Sequence, residues 1–60
     1  MVLIVVEISR SEFLTLSNLS STYFQNGVIF DNDNDDVIAF EKMDFGNNNA
    51  LTYWKVIEKN

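Results

Sequence analysis

Ser9-Arg10-Ser11-Glu12, preceded by Ile8 and followed by Phe13, is the stretch on which the fold turns. Ser and Glu three apart form a capping box: the Ser9 hydroxyl takes the Glu12 amide, and the Glu12 carboxylate reaches back to the Ser9 amide. Ile8 and Phe13 then occupy the two positions of a hydrophobic staple, which sets the angle at which the chain enters a helix. Downstream, Gly27 suits the left-handed residue just past a helix C-terminus, with Val28 placed to touch Tyr23. Together these signals bracket a helix from Arg10 to about Gln25. At about 100° per residue, Phe13, Leu16, Leu19, Tyr23 and Phe24 form its apolar stripe, and Thr15, Asn18, Ser21 and Thr22 its wet side. After Glu12 that helix carries no charge, which suits either a solvated Ser/Thr face or a surface cheap to desolvate.

Strand patterns surround it. Val2 to Ile8 is β-branched and apolar on both faces, as expected of a strand inside a sheet. Val28-Ile29-Phe30 reads as a second strand and Val37 to Met43 as a third, joined through Asp31-Asn32-Asp33-Asn34-Asp35-Asp36, residue types that tolerate positive φ. Phe45 to Asn49 is the next turn, and Ala50 to Glu58 a fourth strand with Tyr53 and Trp54 on opposite faces. The expectation is α+β: a single domain over residues 1–60, one helix packed on a small, mostly antiparallel sheet in the order β-α-β-β-β.

Composition narrows the function. The chain has 60 residues, with no His, Cys or Pro. It therefore lacks an imidazole base, a thiolate nucleophile and an ordinary zinc site, and it has little room for both a core and a walled cleft. No enzymatic activity, cofactor or metal is expected. The opening Met1-Val2-Leu3-Ile4-Val5-Val6 has no basic flank and is ended by Glu7, which fits neither a signal peptide nor a membrane span, so a cytoplasmic protein is expected.

Charge is unevenly spread. Nine acidic side chains stand against four basic ones, a net −5. Between residues 31 and 44 six carboxylates meet only Lys42, while elsewhere Glu7, Glu12 and Glu58 offset Arg10, Lys55 and Lys59. Three readings meet on this loop. Asp31, Asp33 and Asp35 alternate like the start of a calcium loop, but Asp36 stands where that loop needs Gly and Lys42 where it needs Glu. A plain Asx-rich turn is the second. The third is an anionic surface that attracts a basic partner or mimics nucleic acid. Direct nucleic-acid binding is not expected, because four scattered cations make no phosphate-neutralising patch.

The chain also has more apolar side chains than one helix can shelter. Val2, Ile4, Val6 and Ile8 oppose Leu3 and Val5; Leu51, Tyr53 and Ile57 oppose Trp54 and Val56. A bare, aromatic-rich sheet face marks an interaction surface. In size, acidity and lack of catalytic side chains the chain resembles, in type and not in sequence, the small accessory proteins of phages and mobile elements. That resemblance implies an inhibitor or antitoxin that binds a host or defence protein, and it assigns no residue roles. The reading is a non-catalytic protein-binding domain. Asp31, Asp33, Asp35 and Asp36 would steer a basic protein partner, and Tyr53 and Trp54 would anchor it. The alternatives are an acidic nucleic-acid mimic, or a homodimer whose acidic turn only confers solubility.

Overall fold

The computed structural model describes residues 2–46, 48 and 50–59. Of the turn expected at 45–49, Asn47 and Asn49 lie outside the described residues, as do Met1 and Asn60. One helix and five strands follow in the order β1 (Val2–Ile8), α1 (Arg10–Ser17), β2 (Thr22–Gln25), β3 (Val28–Asp31), β4 (Val37–Asp44) and β5 (Ala50–Lys59). The strands form one sheet, β1-β5-β4-β3-β2, in which every neighbouring pair is antiparallel. The α+β class stands; the strand count and the helix length do not.

The start of α1 follows the staple and the Ser9 half of the capping box, while the Glu12 carboxylate turns to Lys55 and not to the Ser9 amide. Ser9 is extended, and its Oγ accepts the Glu12 amide at 3.1 Å. Phe13 is buried, with Ile8 packed against it. The Glu12 carboxylate accepts from Lys55 Nζ at 2.8 Å.

The expected helix to about Gln25 ends after eight residues, at Ser17. Ser17, Asn18, Ser20, Ser21 and Thr22 are weak helix formers whose side chains compete for backbone groups. Ser17 Oγ donates to the Leu14 carbonyl at 2.8 Å. The Thr22 hydroxyl reaches the carbonyls of Leu16 at 2.8 Å and Leu19 at 3.0 Å, closing the helix end. Gly27 is left-handed, at φ 80, but in a different role: with Asn26 at φ 52 it makes the two-residue turn between β2 and β3. Two consecutive positive φ values are what a type I′ hairpin needs, and Asn-Gly is its strongest sequence signal. Val28 therefore pairs with Gln25 and not with a helical Tyr23.

The second correction concerns β1. Its unbroken apolar run reads as an interior strand, yet β1 is an edge, paired only to β5. Its side chains are mostly exposed. The run marks apolar surface that remains uncovered.

Size explains why. Eight residues give a helix ~12 Å long, against a sheet of five strands ~19 Å wide. The helix meets β5, β4 and β2 most closely, so it covers part of its face, less than the expected packing. Among the described residues Phe13, Ile29 and Ala39 alone are buried, with Ile8, Leu16, Ile38 and Tyr53 around them. The Phe13 ring stands edge-on to Phe24 at 6.2 Å and tilted on Tyr53 at 4.9 Å. The accessible surface is 4501 Å². A folded monomer of 6.9 kDa exposes ~4,000 Å², so this chain leaves about 500 Å² more in water.

Candidate protein-binding surface

Directly opposed residues of antiparallel strands point to the same face, so the pairing register sorts every side chain. Tyr53 pairs with Glu41 and with Ile8, and Lys55 with Ala39 and Val6, on the helix side. On the opposite side Trp54 stands between Phe40 and Glu7, and Val56 beside Val5. Phe40 in turn neighbours Val28, and Phe30 neighbours Tyr23. Beyond Ala39 the β3–β4 register slips by one, leaving Ile38 as the extra residue of a bulge.

No helix crosses this second face. Tyr23, Phe30, Phe40 and Trp54 lie across it, each half-buried by its neighbours alone. The Tyr23 and Phe30 rings stack at 5.1 Å and 21°. Trp54 Nε1 donates to Thr52 Oγ1 at 3.1 Å, which ties the indole to its own strand. At the end of the face where β1 begins, Leu3, Val37, Ile38 and Val56, with Asp36 and Glu58, line a groove of about 600 Å³.

The acidic loop borders the same face. It is a closed structure: the Asp31 amide donates to the Asp36 carbonyl at 2.8 Å, and the Asp35 amide to the Asp31 carbonyl at 2.9 Å. Asp31 Oδ1 accepts the Asp33 amide at 2.7 Å, and Asn34 Oδ1 the Asp36 amide at 3.1 Å. These are Asx turns, with Asp35 taking the left-handed conformation at φ 60. Asn32 ties the loop to the segment after α1, donating its amide to the Ser21 carbonyl and its side chain to the Ser20 carbonyl, both at 2.9 Å. Tyr23 joins loop to face: its hydroxyl donates to Asp35 Oδ1 at 2.8 Å. That hydrogen bond, helped by partial desolvation and the carboxylate charge, holds the phenol above its ordinary pKa of 10.0.

Of the six side chains singled out in the sequence, three border or lie on this surface. Asp35, through Tyr23, and Asp36, in the groove, edge the face and Trp54 forms part of its floor, whereas Asp31 pairs with Thr22 on the helix side and, among the described residues, Asp33 touches neither face through a side-chain bond. Tyr53 lies apart, on the helix side against Phe13. It lines a separate groove of about 550 Å³ with Phe24 and Leu51. Tyr23, Phe30 and Phe40 complete the open face and were not singled out. Tyr23 was hidden by the helical reading of residues 18–25, and the Asn26-Gly27 hairpin signal is what reveals it. Among the described residues, no three acid side chains converge where they could hold a cation, and no helix is long and apolar enough to cross a membrane.

Set against family models, curated proteins and solved structures, the chain matches none.

Proposed function

We propose that the chain is a non-catalytic protein-binding module that docks through its open aromatic face onto a partner with a basic surface. The observation that carries this reading is a juxtaposition. An uncovered sheet face bearing four aromatic rings is bordered by the loop that holds four of the nine acidic side chains and no basic one, and the Tyr23–Asp35 hydrogen bond joins the two. Interface cores favour aromatic residues that are already rigid, because little rotamer freedom is lost on binding. A charged rim raises the encounter rate and orients the approach. The finer reading is an inhibitor or antitoxin acting in the cytoplasm on a host or defence protein, which the small size and the absence of His and Cys support.

The test is comparative capture from host lysate with the parent chain and with Phe40→Lys and Trp54→Ala, circular dichroism confirming that each variant folds. A partner held by the parent and lost by both variants is the expected result. Equal recovery by all three would remove the face from the interface.

A further inference from the structure

We infer that β1 pairs with β1 of a second copy, antiparallel and centred on Val5, to give a two-fold dimer with one continuous ten-stranded sheet. This goes beyond the docking face and rests on a different part of the molecule, the free edge of the sheet.

The two edges of the sheet differ. β2 has four residues and lies beside α1, and a short edge strand is one of the usual protections against unwanted pairing. β1 has seven residues in unbroken register with β5, from Val2 opposite Lys59 to Ile8 opposite Tyr53. It has no Pro, Lys, Arg or bulge, the devices that normally blunt an edge. Among the described residues none of the hydrogen bonds made outside the strand ladders involves β1. Its outward amides and carbonyls therefore still need a strand. Val2, Leu3 and Val5 are 59%, 63% and 49% exposed.

Four considerations select a second copy as the occupant. First, area: each chain exposes about 500 Å² beyond what its mass requires, and Val2, Leu3, Val5 and Val6 of β1 are among its exposed apolar side chains. Second, side chains: a two-fold axis through Val5 sets Val5 against Val5, Ile4 against Val6, and Val2 against Ile8, apolar on apolar. The sole charge, Glu7, faces Leu3, and its symmetry mate lies ~13 Å away along the strand, more than a Debye length at physiological salt. Third, net charge: β1 begins at the end of the sheet that carries the acidic loop, because Val2 pairs with Lys59 and β4 starts beside the end of β5. Antiparallel pairing sends the two acidic loops to opposite ends of the joined sheet, whereas parallel pairing would keep both at one end. Fourth, closure: β1 on β1 is isologous and stops at two copies, while β1 on β2 would propagate.

The axis is perpendicular to the sheet, so both helices lie on one side and both aromatic faces on the other. The dimer presents a doubled face with an acidic loop at each end.

Sedimentation equilibrium on the full chain at micromolar concentration reads the mass directly, and twice 6.9 kDa is expected. Val5→Lys and Val5→Glu put like charges face to face on the axis, and each should weaken self-association by roughly tenfold or more. Mixing the two variants should restore a dimer containing one of each, since residue 5 meets only residue 5. This rescue also shows that both variants fold. Phe40→Lys, on the open face, should leave the dimer mass unchanged. A monomer throughout, Val5 variants that dimerise like the parent, no rescue on mixing, or a dimer abolished by Phe40→Lys would each overturn β1 pairing. The first three of these do not bear on whether the open face binds another protein.

Discussion

Tyr23 is the residue at which two surfaces meet, its ring stacked on Phe30 in the sheet and its hydroxyl bonded to Asp35 in the loop. The hydrogen bond exists only while the phenol keeps its proton, since ionisation would set two negative charges at bonding distance. The folded-state pKa is therefore raised above the unfolded value of 10.0. Stability from this contact is complete below pH 10.0 and is lost as pH climbs through the folded value. Ultraviolet titration should show a late-ionising phenol that Tyr23→Phe abolishes. A variant that keeps a late-ionising phase and loses amplitude only in the ordinary range would mean that the loop is not held in this way. Gly27 makes the converse point about backbone: at φ 80 a Cβ would meet the Glu41 side chain at 3.0 Å, so the hairpin requires glycine for both conformation and space.

At the scale of elements, α1 acts through one side chain. Its eight residues insert Phe13 between Phe24, Tyr53 and the buried pair Ile29 and Ala39. Phe→Ala in a core costs ~3–5 kcal/mol, and a chain this short has a total stability of ~3–9 kcal/mol. Phe13→Ala should therefore lose its cooperative thermal transition by circular dichroism; a melt within a few degrees of the parent would show that the core lies elsewhere. The Glu12–Lys55 pair is half-exposed on both sides, and such pairs contribute ~0–1 kcal/mol, so it orients the helix more than it holds it.

Across the whole molecule, flatness and charge act together. The principal extents are 36 × 26 × 18 Å, a slab in which nearly every side chain keeps some contact with water. The acidic loop makes one end of that slab anionic. Changing Asp31, Asp33, Asp35 and Asp36 together to Asn keeps the side-chain carbonyls that accept the turn and Tyr23 hydrogen bonds, so folding should be unaffected. Association with a basic partner should slow by about tenfold or more at low salt, and its salt dependence should flatten. Stopped-flow rates that ignore the substitutions would assign the loop a purely structural part.

Local signals in this chain were legible where one interaction decides them. The Ser9 cap, the Ile8–Phe13 staple, the Asx turns of the loop and the alternation of Tyr53 and Trp54 all follow from spacing within a few residues. The Asn26-Gly27 hairpin is equally local, but positive φ at Gly27 serves a helix stop as well as a hairpin turn, so the glycine by itself does not choose between them. What only the tertiary structure decided was who neighbours whom. An apolar strand such as β1 has the same residues whether it lies inside a sheet or at its edge. Its place is set by chain connection across the whole sheet, and that choice left the chain with an open face and an unguarded edge.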